Sequence, residues 1–135
     1  MLTGGRQSDT FVYQAAHDSI GAGYDTITNL AFGSDKIWLD AGTLLTGDTQ
    51  PTGIDAAITH GALSTATFTS DLAAAVNASN LAANHAVLFT ADSGTLSGHT
   101  FLIVADGGGA GYQSAYDYVI DVTGYTGTLT TADFI

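Results

Sequence analysis

The sequence predicts a mainly β, turn-rich fold with one short α-helix, and three observations support this. All 13 acidic residues are Asp, and the chain also contains 17 Gly. Asp and Gly favour turns, whereas Glu, which is absent, favours helix surfaces. Several short segments alternate polar and apolar residues or are continuously apolar, as strands do. With 45% hydrophobic residues among 135, the chain can form one domain with a core.

The N-terminal third consists of predicted turns and short strands. Residues 4–9 are a Gly-rich turn, which a strand containing Phe11 and Tyr13 follows. Residues 25–30 alternate polar and apolar side chains with a period of two, which is typical of a half-buried strand. Residues 36–39 form the next predicted strand.

The rest of the chain contains the only predicted helix. Residues 41–69 carry turn signals at Gly47-Asp48 and around Pro51 but no periodic pattern. We expect a helix that is capped by residues 69–71, continues through Val76 and ends near Leu81 or Asn84. The remaining predicted strands are residues 86–90, 100–105 and 118–122.

The charge balance excludes several classes of partner. The net charge is -11, and Arg6 and Lys36 are the only Lys or Arg residues. No basic patch can form, so nucleic acids and anionic membrane surfaces are not expected partners. The chain has no Cys, which excludes disulfides and thiolate metal sites.

The first nine-residue motif lies at residues 4–12, GGRQSDTFV. It resembles the calcium-binding repeat G-G-x-G-x-D-x-U-x of RTX proteins, which forms the rungs of a parallel β-roll. Gly4 and Gly5 match, Asp9 stands at the ligand position and Phe11 at the inward-pointing position U, while Gln7 replaces the third Gly. The resemblance implies that residues 1–13 are a degenerate last RTX repeat.

Two longer stretches extend this resemblance. Residues 9–39 resemble the region that closes the β-roll of serralysin-type proteases and of alginate epimerase R-modules. Residues 100–135 resemble the end of RTX surface-layer proteins, adhesins and proteases, with matches at residues 122–124 and 133–135. The resemblance implies one C-terminal cap and secretion-signal domain over residues 1–135. Its terminal β-roll rung would lead into an antiparallel β-sandwich-like cap at residues 14–135.

Calcium is the cofactor that the resemblance implies. Calcium binds six to eight oxygen ligands, which Asp side chains and backbone carbonyls supply. The candidate ligand residues are Gly5, Asp9, Asp18, Asp25, Asp35, Asp106 and Asp117. The alternative is that each Asp closes a turn by accepting nearby backbone N–H groups. For Asp106 and Asp117 that alternative is a hairpin loop around residues 107–109.

The implied function is export without catalysis. Asp133, Phe134 and Ile135 would belong to an uncleaved signal that a type I secretion transporter recognises. Outside the cell, calcium would neutralise clustered Asp residues, and the domain would fold and cap upstream RTX repeats of its own chain. Met1 lies against what resembles the middle of a repeat, so we expect any activity of the parent protein to lie upstream.

Two other functions remain open at this stage. The chain could be a surface-layer or adhesin module that associates with itself at the cell surface, because its composition is rich in Thr, Ala and Gly. It could also be a carbohydrate-binding module of an exported enzyme. In that case Trp38 and several tyrosines would form the sugar platform: Tyr112, Tyr116, Tyr118 and Tyr125.

Motifs for catalysis are missing from the sequence. The four histidines, His17, His60, His85 and His99, are far apart, and H-E-x-x-H is impossible without Glu. There is no nucleophile elbow G-x-S-x-G. The Gly-rich residues 107–111 lack the Lys of a phosphate-binding loop. We therefore expect no enzymatic activity in these residues.

Overall fold

The structure, a computed structural model, describes residues 1–15, 18–39, 50–106 and 109–135. In chain order the strands are β1 (Leu2–Thr3), β2 (Thr10–Val12), β3 (Asp25–Thr28), β4 (Lys36–Trp38), β5 (Gly53–Ile54), β6 (His85–Thr90), β7 (Thr100–Val104) and β8 (Tyr118–Asp121). Within the described ranges there is one α-helix, α1, at Phe68–Ala75. The prediction of a mainly β fold with one short helix is confirmed. The turn signals at Gly47-Asp48 lie outside the described residues.

Six of the strands form one mixed sheet, in the order β1-β3-β8-β7-β6-β5. Its centre, β6-β7-β8, is antiparallel, with Leu88 opposite Leu102 and Leu102 opposite Ile120. Its flanking pairs, β1–β3, β3–β8 and β5–β6, are parallel. Strands β2 and β4 form a second, parallel sheet. The sandwich-like arrangement is confirmed, with parallel pairs added at both sides of its antiparallel centre.

Both faces of the large sheet are covered, which explains why β7 is continuously apolar. All five residues of β7 are buried. On one face Leu102 packs in a cluster with Phe11 and Ile37 from the small sheet. On the other face Phe101 packs with Leu72 from α1. A strand that is buried on both faces cannot show polar alternation, so the apolar run predicted a core strand correctly.

The helix is shorter than the sequence predicts. It begins at Phe68, and Asp71 in its first turn accepts hydrogen bonds from the Ser64 N–H at 3.0 Å and from the Thr67 hydroxyl. It ends at Ala75 because Asn77 next forms a turn of its own, accepting the Ser79 N–H at 2.9 Å. No helix in the described ranges is long and apolar enough to cross a membrane.

The C-terminal turn crosses the end of β3 at very close range. Thr126 donates its N–H to Leu30 at 3.0 Å and accepts that of Phe32 at 2.9 Å. The neighbouring Gly127 has φ +80°, and a Cβ there would lie 2.2 Å from the Phe32 carbonyl oxygen. Gly124 has a similar φ of +83° but faces open space. Of these two glycines, Gly127 is therefore required by packing as well as by backbone conformation, and Gly124 by backbone conformation alone.

These two glycines make a matched test of the close approach. We expect Gly124→Ala to lower the free energy of unfolding by about 1 kcal/mol, the cost of a left-handed non-glycine residue. Gly127→Ala should cost about 1 to 3 kcal/mol more, because the added methyl group forces the turn away from Phe32. Urea denaturation measures both values. Equal losses would contradict the close approach.

Candidate functional site

The N-terminal part of the chain forms two stacked rungs. Strand β1 lies parallel on β3, and β2 lies parallel on β4, with Thr10 opposite Lys36. The turn at residues 4–9 therefore stacks on the turn at residues 29–35. This arrangement of two parallel ladders joined by turns is that of a β-roll, as the repeat motif implied.

A buried carboxylate joins the two turns. Asp35 is 3% exposed. Its Oδ2 accepts the Ala31 N–H at 2.8 Å and closes its own turn, while its Oδ1 accepts the Asp9 N–H of the preceding rung at 3.0 Å. Asp9 in turn accepts the Gly5 N–H. With one oxygen bonded to each turn, the Asp35 carboxylate fixes the spacing of the two rungs.

The second rung contains a repeat unit that the sequence alone did not show. Residues 30–38, LAFGSDKIW, lie 26 positions after residues 4–12. They place Gly33, Asp35 and Ile37 at the glycine, ligand and inward-pointing positions of the same nonapeptide. Gly33 has φ +91°, which only glycine adopts without strain. In both units an apolar residue follows the Asp two positions later, Phe11 after Asp9 and Ile37 after Asp35. This equal spacing is the sequence feature that could have identified the second unit.

The candidate calcium ligands fall into three separate places. Gly5, Asp9 and Asp35 lie at the stacked turns. Asp25 begins β3 at the end of that strand away from this turn, and Asp18 lies in the loop that precedes it. In the described residues no three His, Cys, Asp or Glu side chains are grouped so as to hold a metal ion.

An open cavity lies between the stacked turns. It has a volume of about 210 Å³, and its lining includes Gly5, Ser8, Ser34 and Asp35. Carboxylate and backbone carbonyl oxygens are among the ligands that calcium prefers. Arg6 also lines the cavity and contributes the one positive charge there.

The charges of Asp18 and Asp25 act on the buried side chain of Tyr13. The Tyr13 hydroxyl is buried and has no hydrogen-bond partner among the described residues. Burial, followed by the charges of Asp25 and Asp18, raises the pKa of Tyr13 well above its ordinary value. Asp18 also accepts the N–H groups of Gln14 at 2.8 Å and Ala15 at 3.1 Å. Asp18 therefore closes its turn in the way Asp9 and Asp35 do.

Asp117 organises the third place. It is completely buried and accepts the N–H groups of Gln113 at 2.7 Å and Asp106 at 3.0 Å. Burial and the Asp117 charge together raise the pKa of Tyr112 to about 12. Of the glycine loop between Asp106 and Asp117, residues 107 and 108 lie outside the described residues. The turn-closing contacts are thus present at four candidates, and calcium ligation by them stays a prediction.

Two residues of the C-terminal tripeptide, Asp133 and Phe134, are part of the folded core, while Ile135 is 49% exposed. Asp133 is 1% exposed and accepts the N–H groups of Gly33 at 2.6 Å and Thr130 at 2.7 Å. Phe134 is buried and bridges to Ile37 in parallel, and Ile135 donates its N–H to the Ile37 carbonyl at 3.0 Å. The end of the chain therefore continues the small sheet beside β4.

Three Asp residues that the sequence did not single out bind the described histidines. His60 lies 3.2 Å from Asp92, His85 lies 3.0 Å from Asp55, and His99 lies 2.8 Å from Asp121. The His and the Asp of each pair are 22 to 32 positions apart in the sequence, so no local motif could have indicated the pairing. His17 lies outside the described residues. Zinc sites were not expected, and each described histidine has one carboxylate neighbour.

The aromatic residues do not converge on a sugar platform. Trp38 is 45% exposed and stands beside Val12 on the outer face of the small sheet. Tyr112 and Tyr118 are buried. Tyr116 is 60% exposed and Tyr125 packs against Phe32, so the five aromatic residues face different surroundings.

The comparison with known families agrees with the two-rung geometry. A family model described as Peptidase M10 serralysin C terminal matches residues 2–135. The match covers the stacked turns, the antiparallel centre and the C-terminal tripeptide. No curated protein matches the chain.

Asp35 and Asp18 provide a matched test of the turn-closing contacts, because each accepts two backbone N–H groups. Asp35 is buried and Asp18 is exposed. Asp35→Ala should lower the free energy of unfolding by about 3 kcal/mol, since buried donors lose their acceptor without gaining water. Asp18→Ala should cost less than about 1 kcal/mol. Urea denaturation compares them, and similar losses would show that burial does not decide the contribution.

Proposed function

The chain belongs to the serralysin C-terminal family, and we propose that it carries a type I secretion signal and caps a calcium-dependent β-roll. The family is the C-terminal, non-protease part of serralysin-type RTX proteins, so the chain is part of a secreted protein. The proposed partners are a type I transporter before folding and upstream RTX repeats afterwards. The two stacked rungs are the observation that carries the proposal.

Two open strand edges support the capping role. Among the described residues, β1 pairs only with β3 and β2 pairs only with β4, so each has one free edge on the same side of the rungs. A further rung of the same geometry can add its two strands to these edges by backbone hydrogen bonds. Opposite this side, the cap covers the roll with the antiparallel centre of the large sheet. An exposed edge strand can pair with a strand of another chain, and a covered end of the roll prevents such pairing.

The position of the C-terminus supports a signal that acts on the unfolded chain. Asp133 and Phe134 are buried, and Lys36 donates to the Ala132 carbonyl at 2.6 Å. A transporter that recognises Asp133 and Phe134 cannot reach them in the folded domain, where Ile135 alone of the three proposed signal residues is exposed. Recognition therefore precedes folding, and the folded domain can no longer present the signal.

Calcium supports folding after export through mass action. An ion that binds only the folded state stabilises that state as its concentration rises. The stacked-turn cavity would hold it with Ser8, Ser34 and Asp35, and its charge would offset part of the net charge of -11. Low calcium inside the cell would then leave the chain unfolded and competent for export.

The secretion role can be separated from the folding role with two phenylalanines of the same core cluster. Phe134 is 5% exposed and Phe11 is 6% exposed. In cells with a type I transporter, Phe134→Ser should lower export of the chain several-fold, because it alters the signal. Phe11→Ser should leave export unchanged, although it destabilises the fold comparably. Equal export of both variants, measured by immunoblot of medium and cells, would contradict a terminal signal.

Calcium dependence is tested by thermal unfolding with calcium or with EGTA. Extracellular modules bind calcium with a Kd of about 0.1 to 1 mM, so 10 mM calcium should raise Tm by roughly 10 °C at the tight end of that range. Asp9→Ala and Asp35→Ala should reduce this increase, while Asp92→Asn, far from the turns, should keep it. An identical Tm in calcium and in EGTA would overturn the calcium part of the proposal and leave the secretion part intact.

A further inference from the structure

Residues 129–135, which we call the terminal segment, lie along the outer edge of β4. On its inner edge β4 pairs with β2, and on its outer edge Phe134 bridges to Ile37 in parallel. The Ile135 N–H donates to the Ile37 carbonyl at 3.0 Å. The terminal segment is therefore an added edge strand, which is also the arrangement in which extended peptides bind to the edge of a sheet.

Three buried side chains anchor the terminal segment. Leu129 and Phe134 are 7% and 5% exposed and belong to the apolar cluster that includes Phe11. Asp133 is 1% exposed and accepts the Gly33 N–H at 2.6 Å. The surface beside β4 thus accommodates a short peptide with two apolar anchors and one carboxylate. We call this surface the terminal-segment site.

The terminal segment also holds its own conformation. The Thr130 N–H donates to Asp133 Oδ2 at 2.7 Å, and the Asp133 N–H donates to the Thr130 carbonyl at 3.1 Å. Both contacts lie within the segment and close the short helical turn at Thr131–Asp133. A peptide that is stabilised in its bound conformation by its own contacts loses less conformational entropy on binding. The segment therefore has the properties of a separable ligand.

The segment is joined to the rest of the domain at one weakly held position. Thr126 is fixed, because it donates its N–H to Leu30 at 3.0 Å and accepts that of Phe32 at 2.9 Å. Thr128 is exposed, and within the described ranges it makes no hydrogen bond. Thr128 is thus the position at which the terminal segment can separate from a turn that stays in place.

We propose that the terminal-segment site binds the terminal segment of a second copy of the chain, so that two copies exchange these segments and form a dimer. Each copy carries both the site and its ligand, so exchange keeps every contact of the segment and changes the backbone only near Thr128. The segment of the same copy competes at an effective concentration on the order of 1 mM. Exchange is therefore expected where copies are crowded.

Charge favours this form of association over a new interface between two surfaces. Each copy has a net charge of -11, so two copies repel each other. Lys36, one of only two Lys or Arg residues, lies at the terminal-segment site and donates to the Ala132 carbonyl at 2.6 Å. The site thus offers a positive charge to an acidic segment. Exchange uses contacts that the fold already contains and requires no further contact between acidic surfaces.

The site is tested with a free peptide that has the sequence of residues 128–135. It should bind the full chain that carries Phe134→Ala, because this change weakens the chain's own segment and leaves the site intact. Peptide at about 100-fold above its Kd should raise the Tm of this variant by roughly 8 °C. The wild-type chain, whose site is occupied, should bind the peptide about 100-fold more weakly in fluorescence anisotropy.

Matched peptides test which anchors the site recognises. Phe134→Ala in the peptide should weaken binding to the variant chain about 100-fold. Asp133→Ala should weaken it about tenfold, because the buried Gly33 N–H loses its acceptor. Ala132→Ser changes an exposed side chain and should leave the affinity unchanged. Equal affinity of all four peptides would show that the site does not recognise the segment and would overturn the proposal.

The binding test remains decisive if the Phe134→Ala chain does not fold by itself. In that case the free peptide should restore its circular dichroism spectrum, and the Phe134→Ala peptide should not. Failure of the peptide to bind a folded variant, or to restore an unfolded one, would overturn the proposal. No transporter or calcium takes part in this experiment, so its result is separate from that of the proposed secretion and capping roles.

Exchange itself is tested by refolding the wild-type chain at about 1 mM and at about 1 µM, above and below which the effective concentration of a linked segment decides the partner. Size-exclusion chromatography with light scattering should show dimers only after refolding at the higher concentration. Excess peptide of residues 128–135 during refolding should suppress these dimers, whereas the Phe134→Ala peptide should not. Monomers at both concentrations, or dimers that the peptide does not suppress, would contradict exchange of the terminal segment.

Discussion

Backbone N–H groups, rather than cationic side chains, balance most of the buried negative charge, and the rest of the structure depends on this. The chain has 13 Asp and only two Lys or Arg residues. Burial of unpaired carboxylates would disfavour folding strongly. Asp35, Asp117 and Asp133 are buried, and each accepts at least two backbone N–H groups. Each carboxylate therefore also fixes the loop around it.

This constraint explains which parts of the fold the sequence could predict. Apolar runs such as β7 are buried on both faces, so their strand character is independent of any partner strand. The helix was predicted from its local pattern, but its end was not, since Asn77 starts a competing turn. Turn-closing Asp and calcium-binding Asp occur in the same Gly-rich pattern, because both need a carboxylate beside exposed backbone groups. Sequence alone therefore could not assign Asp9 or Asp35 to one role.

Contacts between distant residues were beyond sequence reasoning. The stacking of Asp9 on Asp35 spans 26 positions, and the contact of Gly33 with Asp133 spans 100. The His85–Asp55 and His99–Asp121 contacts depend on strand order, and that order places β5 and β8 on the two sides of the β6–β7 pair. A lone His or Asp carries no information about such a neighbour. The second nonapeptide is different, because its spacing was visible and only its degenerate first positions concealed it.

The contact of Gly33 with Asp133 also orders the events of folding. Among the described residues, the Gly33 N–H of the turn at residues 29–35 is bonded only by Asp133, near the end of the chain, and β4 gains its outer neighbour only from Phe134 and Ile135. The last rung is therefore incomplete while the C-terminus is held elsewhere. If a transporter binds these terminal residues first, it withholds the piece that completes the rung. Release of the C-terminus and completion of the rung that lies beneath β1 and β2 are then one event, so the same three residues can serve export and folding in succession.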